Sequence, residues 1–450
     1  MSTLPSTGSS NGHEEQSNWW PAPYAQAPLD ATVLVPASKS LTNRYLILAA
    51  LASSPSTIHN TLISRDTELM LQALEAFGVE ISRQKLPDGS TTVLVTPPQQ
   101  LNSSPAPIDC GLAGTVMRFV PALAAVAAAE ASFDGDVSAR VRPMAPVLDA
   151  LAALGVKFSF AGEPGKLPFT MDARELGTGR TVDIDASGSS QFISALLLAA
   201  PALPGGLHLR AAEGHIASPD HINMTVQTLR ELGAELEVDQ DGRGWNVAPG
   251  RISGFTVTVE PDLSNAGPFL GAALAANGTV RVPFWPTQST QVGGKWVQIL
   301  RSMGAEVSLG GDGVLAVRGT GVIHGIDYAD ASELAPTLAA LCALADAPSR
   351  LTGIGHLRGH ETDRLAALEA ELAKVGATVQ ATDDALLITP GPLRAADLES
   401  YEDHRMATAG ALLGLAIEGI RVQDIATTSK TMPDFPGLWT AMAATGGKQA

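Results

Sequence analysis

Cysteine is almost absent: Cys110 and Cys342 are the two in 450 residues, too few and too far apart for a disulfide framework or a thiolate metal cage. A reducing cytoplasm is therefore the expected home. No apolar run reaches the roughly 20 residues that a membrane helix needs, so no span of a bilayer is expected. Positive charge is also short, with 29 Lys and Arg against 46 Asp and Glu and a formal charge of -17. That balance argues against a sequence-independent grip on nucleic acid or anionic lipid. An anionic ligand would need a local gathering of cations. Residues 1–27 lack the basic start and apolar stretch of a secretory signal. Rich in Ser, Pro, Gly, Asn and Gln, they are expected to form a largely disordered tail, with Trp19 and Trp20 as the segment that could dock on the body.

What is present is ordinary globular composition, 45% hydrophobic and 17% charged, in a chain long enough for two to four domains. Its most informative feature is a repeat. A helix-like segment ending in Gly and followed by an apolar strand start recurs at Ala76-Phe77-Gly78-Val79, Ala153-Leu154-Gly155-Val156, Glu231-Leu232-Gly233-Ala234, Ser302-Met303-Gly304-Ala305 and Lys374-Val375-Gly376-Ala377. A sixth, weaker copy is Ala444-Thr445-Gly446, after which no strand follows. Each Gly fits a left-handed helix stop. A second set of helices, Ala- and Leu-rich on nearly all sides, has the same period: Lys39 to Ala52, Thr115 to Ala128, Ser190 to Ala202, Asn265 to Ala276, Glu333 to Ala345 and His404 to Ile417. Helices of that kind belong inside a domain. With short alternating strands, each unit reads as two helices and three or four strands.

No Gly/Ser linker separates the units, so they are expected to pool their cores, three to a domain. The break is expected near Glu260-Pro261-Asp262, with a second crossing near Pro36-Ala37 if the first strand joins the C-terminal units, which gives domain one as residues 28–37 and 261–450 and domain two as residues 38–260.

Polar and charged residues cluster at the starts of the buried helices, where free N–H groups and the helix dipole favour an anion. Such starts are Ser38-Lys39-Ser40 with Asn43 and Arg44, Gly111-Leu112-Ala113-Gly114-Thr115, Ser187-Gly188-Ser189-Ser190-Gln191, Glu333, and Asp403-His404-Arg405. Arg142, Arg364 and Lys430 add cations elsewhere. Lys39, Arg44, Arg142, Arg364, Arg405 and Lys430 together predict a cleft between domains that holds phosphorylated or carboxylated ligands. Each motif alone also reads as a cap, a tight turn or a solvated face. His356, His360, Glu361 and His404 raise the question of a metal, but Gly359 disfavours a helix that would align His356 with His360. Cys110 reads as a small buried thiol rather than a nucleophile.

Ser38-Lys39-Ser40 with Arg44, Ala113-Gly114-Thr115 with Met117-Arg118, Ser189-Ser190-Gln191, His360-Glu361-Thr362-Asp363-Arg364, Asp403-His404-Arg405-Met406 and Lys430-Thr431 with Pro433 resemble, in order, the 5-enolpyruvylshikimate-3-phosphate synthase family. The resemblance implies an α/β fold, a two-domain inverse α/β prism with three βαβαββ units around buried helices in each domain. It implies transfer of the enolpyruvyl group of phosphoenolpyruvate to the 5-hydroxyl of shikimate-3-phosphate with release of phosphate, no metal or organic cofactor, and a monomer whose partners are those small molecules. Carried over by position, Lys39, Ser40 and Arg44 would bind shikimate-3-phosphate, Ser189, Ser190 and Ser218 its phosphate, and Gln191 would lie between the substrates. Gly114, Arg142, Arg364, Arg405 and Lys430 would hold phosphoenolpyruvate. Glu333 matches the catalytic aspartate, Glu361 the proton-shuttling glutamate, and Lys39 lies near the reacting hydroxyl.

Several positions depart from the commoner pattern of that family. Leu112, Phe119, Ser138, Glu333, His360 and His221 stand where Asn, Pro, Arg, Asp, Lys and Tyr are usual. His360, with a reference pKa near 6.5, would carry less than a full charge at neutral pH. The sister transferase acting on UDP-N-acetylglucosamine is the nearest rival; it often has a Cys in the loop before its phosphoenolpyruvate arginine, and Ser138-Ala139-Arg140-Val141-Arg142 has none. A catalytically silent anion-binding relative and a histidine-based metallohydrolase are the rivals of other classes.

Overall fold

The computed structural model describes residues 18–447 apart from 88, 104–105 and 178–180. Six helices lie inside: α1 (Lys39–Leu51), α3 (Gly114–Val126), α5 (Gln191–Ala199), α7 (Gly267–Ala275), α9 (Ala335–Ala343) and α11 (His404–Ala416). Six others alternate with them: α2 (Arg65–Ala76), α4 (Ala145–Ala153), α6 (Pro219–Glu231), α8 (Trp296–Ser302), α10 (Arg364–Lys374) and α12 (Phe435–Ala443). Leu and Ala fill the inner helices at almost every turn, so no face can be left in water, and α1, α3 and α5 pack together as do α7, α9 and α11. Small mixed sheets cover both bundles, the arrangement of an inverse α/β prism.

The sheets repeat one plan. In the first unit, Ser56–His59 runs antiparallel to Thr91–Thr96, which runs antiparallel to Glu80–Lys85. Its remaining strand, Thr256–Thr258, pairs in parallel with Ser56–His59 although it lies at the far end of the same half of the chain. The fourth unit likewise borrows Asp30–Thr32, parallel to Thr279–Val282. Buried apolar residues fall into two sets, one running from Ala37 to Val259 and the other joining Ala22–Val35 to Leu263–Met442. The chain passes between them twice, side by side, where Ala37 bridges Pro261.

The sixth unit explains the weak final repeat. Trp19–Pro21 runs antiparallel to Arg421–Gln423, which also pairs in parallel with Asp397–Leu398. Trp19 stacks under the Arg421 guanidinium at 5.8 Å. The ordered body therefore begins before residue 28, correcting the expectation of a tail through residue 27; residues 1–17 lie outside the described residues.

Gly78, Gly155, Gly233, Gly304 and Gly376 take φ of 87, 107, 86, 97 and 108°, each after a helix end. Gly446 instead lies in the short turn Ala444–Gly447 and is not left-handed.

Arg44 is 1% exposed and acts as an internal cross-link. Its guanidinium donates to Thr225 Oγ1 at 2.8 Å, the Ser40 carbonyl at 2.9 Å, the His221 carbonyl at 2.9 Å and Ser194 Oγ at 3.4 Å, tying α1 to α5 and α6. Burial pulls its pKa down to about 10, against the opposing pull of Glu333.

Two predictions follow from these placements. A Cβ at Gly233 would meet nothing within 4 Å, whereas at Gly376 it would collide with the Pro392 carbonyl oxygen. Gly233→Ala should cost about 1–2 kcal/mol of left-handed strain alone, and Gly376→Ala about 1–3 kcal/mol more from overpacking, a ranking that urea unfolding reads directly. Arg44→Met should destabilise the ligand-free protein by about 2 kcal/mol through its orphaned partners; an unchanged unfolding midpoint would show that Arg44 does not hold the helices together.

Candidate active site

The N-termini of all six inner helices open onto one cleft between the two halves, with about 1040 Å³ of space when the solvent at its mouth is included. Ser38, Lys39 and Ser40 come from α1, Gly114 and Thr115 from α3, Ser189, Ser190 and Gln191 from α5, Ser264 and Asn265 from the approach to α7, Glu333 from the turn before α9, and His404 and Arg405 from α11. Ser218, at the start of α6, His360, Glu361 and Arg364 at the start of α10, and Lys430 complete the wall. Side-chain caps hold several of these starts: Ser38 accepts from Leu41 N, Asp363 from Ala366 N and Asp403 from Arg405 N.

Of the residues expected to form a site, Arg44 is the one the cavity wall does not include, because its guanidinium is spent inside the α-helical core. Lys39 faces the cavity with its ammonium 3.0 Å from Asp66. Arg118 donates to Gln191 Oε1 at 2.7 Å and lies 5.0 Å over the Phe192 ring. Arg142 donates to the Leu112 carbonyl at 3.0 Å. The Nε atoms of Arg118 and Arg142 are buried without a hydrogen-bond partner, and burial pushes both pKa values down, the two guanidiniums also repelling one another at Arg118. Gly114 makes room between them: a Cβ there would come within 3.0 Å of Gln191 Oε1 and 3.1 Å of Arg142 NH2.

The opposite wall is better compensated. Asp403 grips Arg364 with both oxygens, at 2.7 and 3.2 Å, and burial of Arg364 is outweighed by Asp403 and Glu361, so its pKa rises. Glu361 accepts from Lys430 Nζ at 2.7 Å and meets His404 Nδ1 at 3.0 Å. Burial alone would raise the Glu361 carboxyl, but Lys430, His404 and Arg364 hold it well below the usual carboxylate range. Glu333 is likewise raised by burial and then held well below that range by His221 and Arg405, at 2.6 and 3.2 Å. Burial, Arg364 and His356 push His360 well below 6.5, so it is a neutral ring at neutral pH and adds no cation.

Contacts that cross the cleft include Ser218 Oγ to Ser332 Oγ at 3.0 Å and to His356 Nε2 at 3.2 Å, His221 to Glu333, Lys295 Nζ to Asp220 at 2.7 Å, and Lys430 Nζ to the Leu112 carbonyl at 3.5 Å.

Sequence reasoning gave no role to Arg118, Asp66 or Asp403 and read His221 only as a departure. Arg118 was within reach, since it lies four residues after Gly114 and shares its helix face. Asp66 carries no local signal, because its partner lies on another helix. Donor atoms of Glu361, Asp403 and His404 lie within 4.8 Å of one another, but both carboxylates are already engaged by Lys430 and Arg364, so a dication would have to displace two cations. His356 and His360 do not align on a helix: Gly355–Gly359 is a 3-10 turn and His356 is bonded to Ser218.

Residues 23–439 match the family described as EPSP synthase (3-phosphoshikimate 1-carboxyvinyltransferase). Proteins named 3-phosphoshikimate 1-carboxyvinyltransferase from Kocuria rhizophila and Bifidobacterium longum are 52% and 51% identical, covering 96% and 95% of this chain and 98% and 99% of theirs. Among solved structures, an EPSP synthase from Acinetobacter baumannii superposes with a TM-score of 0.77 at 23% identity over 94% of this chain and 98% of its own. The enolpyruvyl transferase NikO from Streptomyces tendae gives 0.74 at 20% identity, over 95% of this chain and 98% of its own. At those identities the structures speak for the fold, a two-domain α/β prism. The family match along nearly the whole length, with relatives above half identity, places this chain in the EPSP synthase family.

Proposed function

We propose that the protein transfers the enolpyruvyl group of phosphoenolpyruvate to the 5-hydroxyl of shikimate-3-phosphate and releases phosphate, as a cytoplasmic step of aromatic amino-acid biosynthesis. One observation carries the reading: in a chain with a net charge of -17, the cavity wall gathers Lys39, Arg118, Arg142, Arg364, Arg405 and Lys430 against Asp262, Glu333 and Glu361. Two anionic substrates side by side supply the missing negative charge.

Ser189, Ser190 and Ser218 would receive the acceptor's phosphate, with Lys39 and Ser40 beside its ring. Arg142, Arg364, Arg405 and Lys430 would hold the phosphoenolpyruvate, with the Gly114 turn at its edge and Gln191 between the two molecules. Arg118 joins this set through its bond to Gln191. His360, uncharged, would line the pocket rather than neutralise a phosphate.

The chemistry needs a proton delivered to the phosphoenolpyruvate methylene and one taken from the acceptor hydroxyl. Carbon–oxygen bond formation then gives a tetrahedral intermediate, and loss of phosphate with a methyl proton restores the enol ether. Glu361, ionised and accepting from Lys430 at 2.7 Å, would exchange the methylene proton through the Lys430 ammonium. Glu333 and Lys39 face the cavity from opposite walls and are the groups offered to the hydroxyl. The two cysteines are buried thiols, with burial pushing Cys342 up to about 12, in keeping with a reducing compartment.

Phosphate should be released from phosphoenolpyruvate with shikimate-3-phosphate and not with UDP-N-acetylglucosamine, and a chelator should not prevent it. Release with the nucleotide sugar alone, or with neither acceptor, would overturn the proposal. Glu361→Gln should lower kcat by about 10²–10⁴-fold, the range for a general acid–base group. Because His360 is already neutral, His360→Asn should leave the shape of the kcat/KM profile unchanged between about pH 6 and 8; a lost inflection there would show that its charge matters.

A further inference from the structure

We propose that His221 is a positioning residue that holds the Glu333 carboxylate in its reacting orientation across the junction of the two domains. This rests on the enolpyruvyl-transfer reading and adds to it a residue that neither composition nor the cation cluster singles out.

The imidazole is fixed at its base. The His221 carbonyl accepts from Arg44 at 2.9 Å, from Thr225 Oγ1 at 3.0 Å and from Ser194 Oγ at 3.4 Å, so the first turn of α6 is locked to α1 and α5. The residues just before it are tied to the other domain, Ser218 to Ser332 and Asp220 to Lys295. Ser332 is the neighbour of Glu333, so the hydroxyl pair and the His221 contact bring the same two segments together. Both side chains of the His221–Glu333 pair are 15% exposed.

The carboxylate of Glu333 is ionised at neutral pH and can only accept, so the 2.6 Å contact requires that His221 Nε2 carry the proton. Arg405 meets the other oxygen at 3.2 Å. Without the imidazole, Glu333 is free to turn both oxygens to Arg405, which would aim it away from the acceptor and occupy a guanidinium offered to the donor. The other charged or titratable groups that act on Glu333 from their own elements are Arg44 on α1, Arg364 on α10 and His356 in the turn before α10; all three remain when His221 is replaced.

His221→Phe removes the donor and His221→Gln keeps one. Losing the contact raises the Glu333 carboxyl, so its ionised fraction falls at low pH and the acid limb of kcat moves toward neutrality. The expected movement is about one pH unit for His221→Phe, the lower range for losing a close favourable partner, and a smaller one for His221→Gln. Melting midpoints of both variants report folding separately. An equal kcat loss in His221→Phe and His221→Gln, both folded, or no loss in either, overturns the positioning role while leaving the reaction intact. Absence of phosphate release by the unmodified protein ends both readings.

Discussion

Uncompensated positive charge in the cleft is the constraint on which the rest of the structure depends. Cations that face one another in a confined space repel, and removing them from water adds a desolvation cost. The chain meets this in two ways. On the wall built by α10 and α11, carboxylates are supplied internally, and the Arg364–Asp403 pair, 2% and 0% exposed, is one whose rupture would strand a charge away from water. On the wall that holds Arg118 of α3 and Arg142 of the segment before α4, the two guanidiniums have amide and carbonyl partners but no carboxylate, and their Nε atoms are left without partners. The cleft is thus asymmetric, structurally neutralised on one side and open to an anion on the other. The starts of the six inner helices line the same space from both halves, where free N–H groups add to its positive field.

Legibility in the sequence followed the range of the interaction. The repeated glycines and the Ala/Leu-rich helices are local features, set by backbone conformation and periodicity, and both are found where the pattern places them, Gly446 excepted. The strand supplied from elsewhere to the sixth sheet was not legible. Trp19–Pro21 completes the sixth sheet from the other end of the chain, and three residues, two half-buried and one exposed, give no sign of their partner. Within the candidate site, the helix starts were readable because capping residues and glycines mark them. Which way a cation points was not. Lys39 and Arg44 sit on the same helix five residues apart, which turns their side chains about 140° from one another. Lys39 reaches the cleft and Arg44 is drawn into the contact between α1, α5 and α6. His221 was invisible for a related reason, since its partner Glu333 belongs to the other domain.

The domain junction carries backbone strain as well as charge. Ser218 and Ser332, whose hydroxyls meet at 3.0 Å, take φ of 46 and 49°, the left-handed region that costs a non-glycine residue about 1–2 kcal/mol. Two such residues in direct contact are held only if their surroundings over-determine them. Pro219 fixes the residue after Ser218, and Asp220–Lys295 and His221–Glu333 fix the next two. Those ties exist only while the halves are together, so strain at Ser218 and Ser332, repulsion in the cleft and the direction of the Glu333 carboxylate all change when they part. An anion that lowers the repulsion therefore favours the arrangement in which these few residues meet.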